Sequence, residues 1–159
     1  MAKMNRADKQ VSDEKWIEDV LERGNLIHIG IASPDGAPYV VPMGYGYENG
    51  FIYLHGAANG LKNDLIAINS RVSFNVSIDV ELVRGSIGAN FTNKYRSVTG
   101  FGDVEVLTDL KEKNMALSIL MRHYDGPHED LNEGNNGSVW VAKIQIKEMT
   151  GKSSGYPKP

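Results

Sequence analysis

A strict alternation of apolar and polar residues between positions 71 and 80 restricts what this chain can form. In the stretch RVSFNVSIDV every second side chain is apolar: Val72, Phe74, Val76, Ile78 and Val80. Successive side chains of a β-strand point to opposite faces, so the pattern predicts a strand with one buried and one solvated face. Half-solvated strands of this kind are typical of antiparallel sheets.

Related strand patterns follow one another along the chain, and few helical patterns separate them. Strands are predicted at 25–33, 38–47, 51–55, 71–80, 95–107 and 138–151, and helices at 12–24, 61–68 and 108–124. A doubly wound parallel fold needs a helix after nearly every strand, and this chain lacks those helices. The order therefore predicts a mainly β fold, a six-stranded antiparallel sheet closed into a small barrel with flanking helices.

The chain is predicted to form a single domain with short extensions. Its parts are a flexible N-terminus at 1–11, the domain at 12–151 and a C-terminal tail outside any regular element at 152–159. Two loops, at 81–94 and 125–137, show no periodic pattern. The first and last helices are predicted to begin at Ser12 and Thr108, whose hydroxyls suit N-cap positions.

The composition excludes several classes of protein. Of 159 residues, 41% are hydrophobic and 23% charged, and the net charge is −3 with acids and bases interspersed. Such a chain has no basic stripe for a nucleic-acid backbone. It has no cysteine, which removes disulfides and thiolate metal sites. With no apolar N-terminal segment and no run of membrane-spanning length, a cytoplasmic location is predicted.

The stretch HGAANGLKND at 55–64 places an almost bare loop between a strand and a helix. A bound phosphate needs backbone N–H groups that small residues leave accessible, and a helix N-terminus favours an anion by about 0.3–1 kcal/mol. Lys62 adds a positive charge at that point. The stretch predicts a phosphate cradle; the structural alternative is a strand-to-helix connection with a solvated lysine.

The preceding strand, at 38–47, has one nearly bare face. Its large side chains fall on one side, whereas Val40, Pro42, Gly44 and Gly46 share the other. A flat ring can lie against such a surface. The structural alternative is a barrel strand whose glycines relieve a tight corner.

The histidines differ in what their positions predict. His55 ends a strand at the mouth of the proposed cradle and is the candidate catalytic residue, for placing a proton or ligand. His28 lies in an apolar strand and is predicted to be a core residue. His123 and His128, with Asp125, Glu129 and Asp130, lack a metal-ligand spacing, so no metal site is predicted.

With these residues identified, the chain resembles the FMN-binding split-barrel superfamily, the pyridoxamine 5′-phosphate oxidase-like group. Within that group it is most similar to the nitroimidazole-resistance (Nim-type) flavoproteins. The resemblance covers nearly the whole chain and is carried by 38–66, 71–76 and 95–107. The most specific of these stretches is 38–66, which holds the strand–turn–strand order followed by H-x-A-x-x-G-x-K.

The resemblance implies FMN bound between the subunits of a homodimer. Its implied cofactor-binding residues are Val41, Pro42, Met43, Gly44, His55, Gly56, Ala57, Ala58, Lys62, Arg96, Ser97 and Trp140. In this reading Lys62 pairs with the phosphate, and 41–44 line the flavin ring. The chain departs from true pyridoxamine 5′-phosphate oxidases because it ends TGKSSGYPKP, without their arginine- and histidine-bearing segment.

The implied function is that of an FMN-dependent oxidoreductase acting on nitro-aromatic or other small electron acceptors, without nucleic-acid or membrane partners. Two alternatives stay open from sequence. One is a flavin-binding module without turnover. The other is a haem-binding split barrel with His55 or His28 as axial ligand.

Overall fold

The computed structural model describes residues 6–126 and 139–159, which contain eight strands and three α-helices. The helices are α1 (Glu14–Arg23), α2 (Leu61–Ile68) and α3 (Leu110–His123). The strands are β1 (Gln10–Val11), β2 (Ile27–Ala32), β3 (Pro38–Met43), β4 (Tyr45–Glu48), β5 (Phe51–Gly56), β6 (Arg71–Val83), β7 (Thr92–Val106) and β8 (Trp140–Ser154). No helix in these two ranges is both long and apolar enough to cross a membrane.

All eight strands belong to one sheet, and every pairing in it is antiparallel. The strand order is β3-β2-β6-β7-β8-β5-β4, with β1 beside β8. The predicted mainly β antiparallel fold is therefore confirmed. The count is eight rather than six because Gln10–Val11 adds a short strand and the predicted strand at 38–47 divides at Gly44. Because of this division, β3 pairs with β2 and β4 pairs with β5. The two halves of one chain segment therefore lie at the two ends of the strand order.

The inner face of the sheet holds the larger of two hydrophobic clusters. Ile27 lies beside Met43 and Val76, and Val76 lies beside Val98; these four are buried. The apolar side of α1 joins this cluster. A second cluster forms on the opposite face of β5 and β8, where α3 packs. Each helix thus covers sheet surface that would otherwise expose apolar side chains.

The outer face of β2, β3 and β6 remains open in a single chain. His28 lies beside Pro42 on β3 and Asn75 on β6, and His28 itself is exposed. The prediction that His28 is a core residue is wrong. Its neighbours Ile27 and Ile29 are the buried residues of β2, and strand alternation places His28 on the other face.

The β6–β7 hairpin and the C-terminus are more regular than the sequence predicted. Within the predicted loop at 81–94, Glu81 pairs with Lys94, so both strands extend into it. β8 runs to Ser154, so the first three residues of the predicted tail are strand. Most of the predicted polar loop at 125–137 lies outside the described residues.

The N-caps of α1 and α3 are each one residue later than predicted. The Asp13 carboxylate accepts a hydrogen bond from Trp16 N at 2.8 Å, so Asp13 rather than Ser12 is the cap. Asp109, rather than Thr108, accepts from Lys111 N and Glu112 N at 3.0 Å. In both cases an aspartate follows the predicted hydroxyl residue, and its charged oxygen also suits the positive end of the helix dipole.

Candidate functional site

The loop between β5 and α2 is bare and open to solvent. Residues 57–60 are all exposed, and Gly60 has φ +131°, a conformation that L side chains rarely adopt. Gly60 is the N-cap residue of α2, and it provides no capping side chain. Helix α2 therefore differs from α1 and α3, because no side chain caps its first turn; the N–H groups of Asn63 and Asp64 donate to Gly60 O instead.

Lys62 lies directly beside this loop with its side chain partly buried. Its Nζ is 3.3 Å from the ring centroid of Trp140 and donates a hydrogen bond to Asn63 Oδ1. Asn63 Nδ2 donates in turn to Ala57 O at 3.0 Å, which ties the lysine to the loop. Burial lowers the pKa of Lys62. In the two described ranges the ammonium forms no ion pair with a carboxylate.

Gly56 completes a group of four predicted residues. It pairs with Trp140 across β5 and β8. A Cβ added at Gly56 would lie 3.7 Å from Met43 Cε and 3.9 Å from Lys62 Nζ. Met43, Gly56, Lys62 and Trp140 therefore converge, and we call them the Lys62 cluster. A methyl group at position 56 would be in ordinary van der Waals contact with both atoms.

His55 lies on the opposite face of β5 from this cluster. It follows Tyr53 on the face that packs against α3, pairs with Val141 and is itself exposed. Strand alternation turns its side chain away from that of Lys62. A ligand that contacts both His55 and Lys62 has to pass around the end of β5.

The bare strand face predicted at 38–47 has two different explanations along its length. A Cβ at Gly46 would come within 3.0 Å of Leu120 backbone atoms, and one at Gly44 within 2.8 Å of the Tyr124 hydroxyl. These two glycines let α3 and the residue that follows it pack closely, a reason that differs from the tight corner considered from sequence. Val40 and Pro42 remain exposed. Only their part of the face is open to a ring.

Arg96 belongs to a separate group of residues. Its guanidinium donates to the Asp79 carboxylate, which also accepts from Arg23 Nη2 at 2.9 Å. Arg96 lies 4.3 Å from the ring centroid of Tyr156, and the Tyr156 hydroxyl donates to Asp79 O at 3.0 Å. We call Arg23, Asp79, Arg96 and Tyr156 the Asp79 cluster. Ser97, next to Arg96 on β7, is buried and pairs with Ser77.

Sequence reasoning missed Asn63, Asp79 and Tyr156. Asn63 follows Lys62 directly, and an amide beside a phosphate-binding lysine is a signal that could have been read. Asp79 lies on the polar side of an alternating strand, where carboxylates are usually solvated. Nothing in the sequence singles out Tyr156.

The described residues give no support for a metal site. No group of three or more histidine, aspartate or glutamate side chains suited to a metal occurs in them. A ring nitrogen of His123 makes a 2.6 Å hydrogen bond with Gly24 O, which gives this residue a structural role. His128, Glu129 and Asp130 lie outside the described residues.

Comparison with known protein families gave one match over most of the chain. The family described as pyridoxamine 5′-phosphate oxidase matches residues 13–153. No curated protein sequence matches significantly.

Solved structures with the same fold include proteins of several kinds. A candidate 5-nitroimidazole antibiotic resistance protein from Bacteroides thetaiotaomicron is 33% identical, over 90% of this chain and 85% of that one, with a TM-score of 0.80. The flavocytochrome Anf3 from Azotobacter vinelandii is 21% identical, over 98% and 73% of the two chains, with a TM-score of 0.81. An FAD and haem binding protein from Mycobacterium smegmatis is 21% identical, over 95% and 76%, with a TM-score of 0.80. At 21% identity the last two show the fold alone.

Proposed function

The chain belongs to the pyridoxamine 5′-phosphate oxidase family, and we propose that it is an FMN-dependent oxidoreductase that reduces nitro-aromatic or other small electron acceptors. The observation that carries this proposal is the Lys62 cluster beside the uncapped N-terminus of α2. The 33% identical relative from Bacteroides thetaiotaomicron motivates the choice of nitro-aromatic acceptors.

The residues of the loop fit a phosphate monoester. Three kinds of donor lie together here: the backbone N–H groups at the start of α2, those of the exposed residues 57–60, and the Lys62 ammonium. No described carboxylate pairs with that ammonium. A phosphate at a helix N-terminus with an adjacent cation gains from both the dipole and the charge. FMN ends in one such group, so the proposed contacts are Lys62, Gly56, Ala57 and Ala58 with the phosphate and ribityl chain.

The remaining residues would position the ring and control its surroundings. FMN supplies the redox chemistry, accepting and donating electrons, and the protein sets access and orientation. Val41, Pro42 and Met43 would line the ring, and the buried Trp140 would hold Lys62 in place from the other side. His55, exposed at the end of β5, is the proposed site for holding or releasing a proton.

We propose a homodimer with FMN between the subunits. The outer face of the sheet around exposed His28 and Pro42 supports this because one chain provides only one wall for a ring. Arg96 and Ser97 remain proposed ring contacts.

The first experiment is the visible spectrum of the protein, purified as it is and again after addition of FMN. Two flavin bands, released as FMN on denaturation, support the proposal, whereas a single intense Soret band favours haem. Turnover is then tested by NAD(P)H oxidation with nitro-aromatic acceptors. FMN bound at one per chain, without accelerated oxidation, would identify a flavin-binding module instead.

The site itself is tested by fluorescence titration of FMN into Lys62→Ala. Lys111→Ala removes an exposed lysine from α3 and is the matched control. We expect weaker binding only in Lys62→Ala. Equal affinity in the two variants would remove Lys62 from the proposed site.

A further inference from the structure

A concave site lies at the end of β3 away from the Lys62 cluster. A cleft of about 370 Å³ opens where the β2–β3 hairpin approaches the beginning of β6. None of the twelve proposed FMN-binding residues lines it. The volume falls within the range of small-molecule sites, roughly 300–1,000 Å³. The inference drawn from it therefore goes beyond the proposed flavin site.

The cleft has mainly apolar walls. Tyr39, Val40 and Phe101 line it, and 60% of Val40 is exposed to solvent. Part of its surface comes from the bare backbone of Gly30, where a Cβ would come within 2.5 Å of Ser73 Oγ and would require that hydroxyl to move. Aromatic residues beside bare backbone suit a flat, apolar ligand surface.

Hydrogen-bond donors stand at one side of these apolar walls. Arg71 lines the cleft, and its side chain is 49% exposed. The Arg71 guanidinium makes one contact with the Asp103 carboxylate, from Nη1 to Oδ1 at 3.4 Å. The other oxygen of Asp103 lies 3.9 Å from Lys147 Nζ. A guanidinium has five N–H donors in a planar fork that matches a carboxylate, so one long contact leaves most of them available.

Asn69 adds to this polarity. Its Oδ1 accepts a hydrogen bond from Arg71 N at 3.0 Å, so the side-chain group that remains for a ligand is the NH₂ donor. An apolar cleft with donors at one side is complementary to a ligand that has an apolar body and an anionic end.

We propose that this cleft binds a small planar aromatic carboxylate. Its ring lies against Tyr39, Val40 and Phe101, and its carboxylate accepts hydrogen bonds from Arg71. The forked geometry of arginine favours a carboxylate over a spherical anion.

The test uses benzoate and its neutral isostere benzamide, each titrated into the purified 159-residue protein and followed by NMR shifts of aromatic side chains. Arg71→Gln removes the cation, and Lys147→Gln is the matched control because it removes the other cation beside Asp103. We expect the benzoate dissociation constant to rise at least tenfold in Arg71→Gln and to stay within twofold in Lys147→Gln. Benzamide affinity should be equal in all three proteins.

A third variant, Phe101→Leu, should weaken benzoate and benzamide alike. Thermal unfolding of each variant shows whether it is folded. The inference is overturned if benzoate does not bind saturably, if both glutamine variants lose equal affinity, or if acetate binds as tightly as benzoate. Benzoate binding through Arg71 in a protein that ignores FMN would keep this inference and remove the proposed function.

Discussion

Lys62 and Arg96 are two cations that the family resemblance assigns to one cofactor, and the fold places them in opposite electrostatic environments. Lys62 contacts an amide and an indole ring, with no ion pair in the described ranges. Arg96 is held by the Asp79 carboxylate, which Arg23 also contacts. An unpaired cation beside an uncapped helix attracts an anion, whereas a paired one mainly holds chain segments together. The difference predicts that Lys62 contributes most of the FMN affinity, whereas Arg96, which Asp79 already engages, contributes much less to it.

The largest expected effect is on FMN affinity. Lys62→Ala should raise the FMN dissociation constant about 10- to 100-fold, because hydrogen bonds to charged groups contribute about 1.5–3 kcal/mol. Arg96→Ala should change it less than threefold, since its guanidinium is already engaged. Parallel fluorescence titrations decide this. Equal losses of FMN affinity in both variants would show that Arg96 leaves Asp79 to bind the cofactor. The contrast drawn between the two cations would then be wrong.

The next effect concerns the backbone beside Lys62. Gly60→Ala should lower the free energy of unfolding by about 1–3 kcal/mol, because φ is +131° and L residues adopt that conformation only with strain. The added Cβ meets nothing within 4 Å, so crowding does not contribute. Gly88→Ala is the control, with equally open space and no positive φ. Urea unfolding should give a lower free energy of unfolding for Gly60→Ala than for Gly88→Ala. Equal free energies in the two variants would show that the backbone at Gly60 imposes no strain on alanine.

A smaller effect concerns Asp79. Asp79→Asn should lower the free energy of unfolding by about 1 kcal/mol at neutral pH, a value reduced because the pair is partly exposed. Asparagine tolerates the φ of +53° at this position, so charge is the main change.

The contribution of Asp79 should also depend on pH. Burial raises the pKa of Asp79, but hydrogen bonds from Arg96 and Arg23 together with their charges lower it below the ordinary value of 3.8. A lowered carboxylate pKa stabilises the folded state above 3.8, and that stabilisation is lost as the pH falls through the folded value. The stability gap between wild type and Asp79→Asn should therefore narrow below pH 3.8. A gap that widens in acid would contradict this sign.

The smallest expected effect is at the C-terminus. Tyr156→Phe removes the hydroxyl that donates to Asp79 O but keeps the ring next to Arg96. We expect a small loss in unfolding free energy, because one hydrogen bond is removed while the ring contact with Arg96 is kept. Tyr39→Phe, which removes a hydroxyl with no hydrogen bond in the described residues, should be neutral. An equal loss of unfolding free energy in Tyr156→Phe and Tyr39→Phe would show that the Tyr156 hydroxyl makes no specific contribution.

Much of the fold could be predicted because its signals are local. The alternation at 71–80 is buried over its first part, where Val72, Phe74 and Val76 lie inside, whereas Val80 is 66% exposed next to the irregularity in the pairing of β6 with β7. His28 shows the limit of such reasoning, since an apolar neighbourhood in sequence does not say which face of a strand a residue occupies. The division of the strand at 38–47 was missed for another reason: it depends on which partner each half pairs with.

The candidate site was predicted unevenly. Met43, Gly56, Lys62 and Trp140 were named from sequence and do converge, although Trp140 lies far along the chain. His55 was expected beside them and lies on the other face of β5. A one-residue step along a strand reverses direction, so adjacent positions in a motif need not face one ligand.

The sequence by itself determined the antiparallel sheet and the bare loop before Lys62, because periodicity and small side chains act over a few neighbouring residues. Only the tertiary structure decided which cation is left unpaired. Asp79 reaches Arg96 across 17 residues and Arg23 across 56, through strand pairing and helix packing. Charged residues so far apart in sequence come into contact because burial of the apolar core brings their strands and helices together. Short-range sequence patterns therefore cannot predict such contacts.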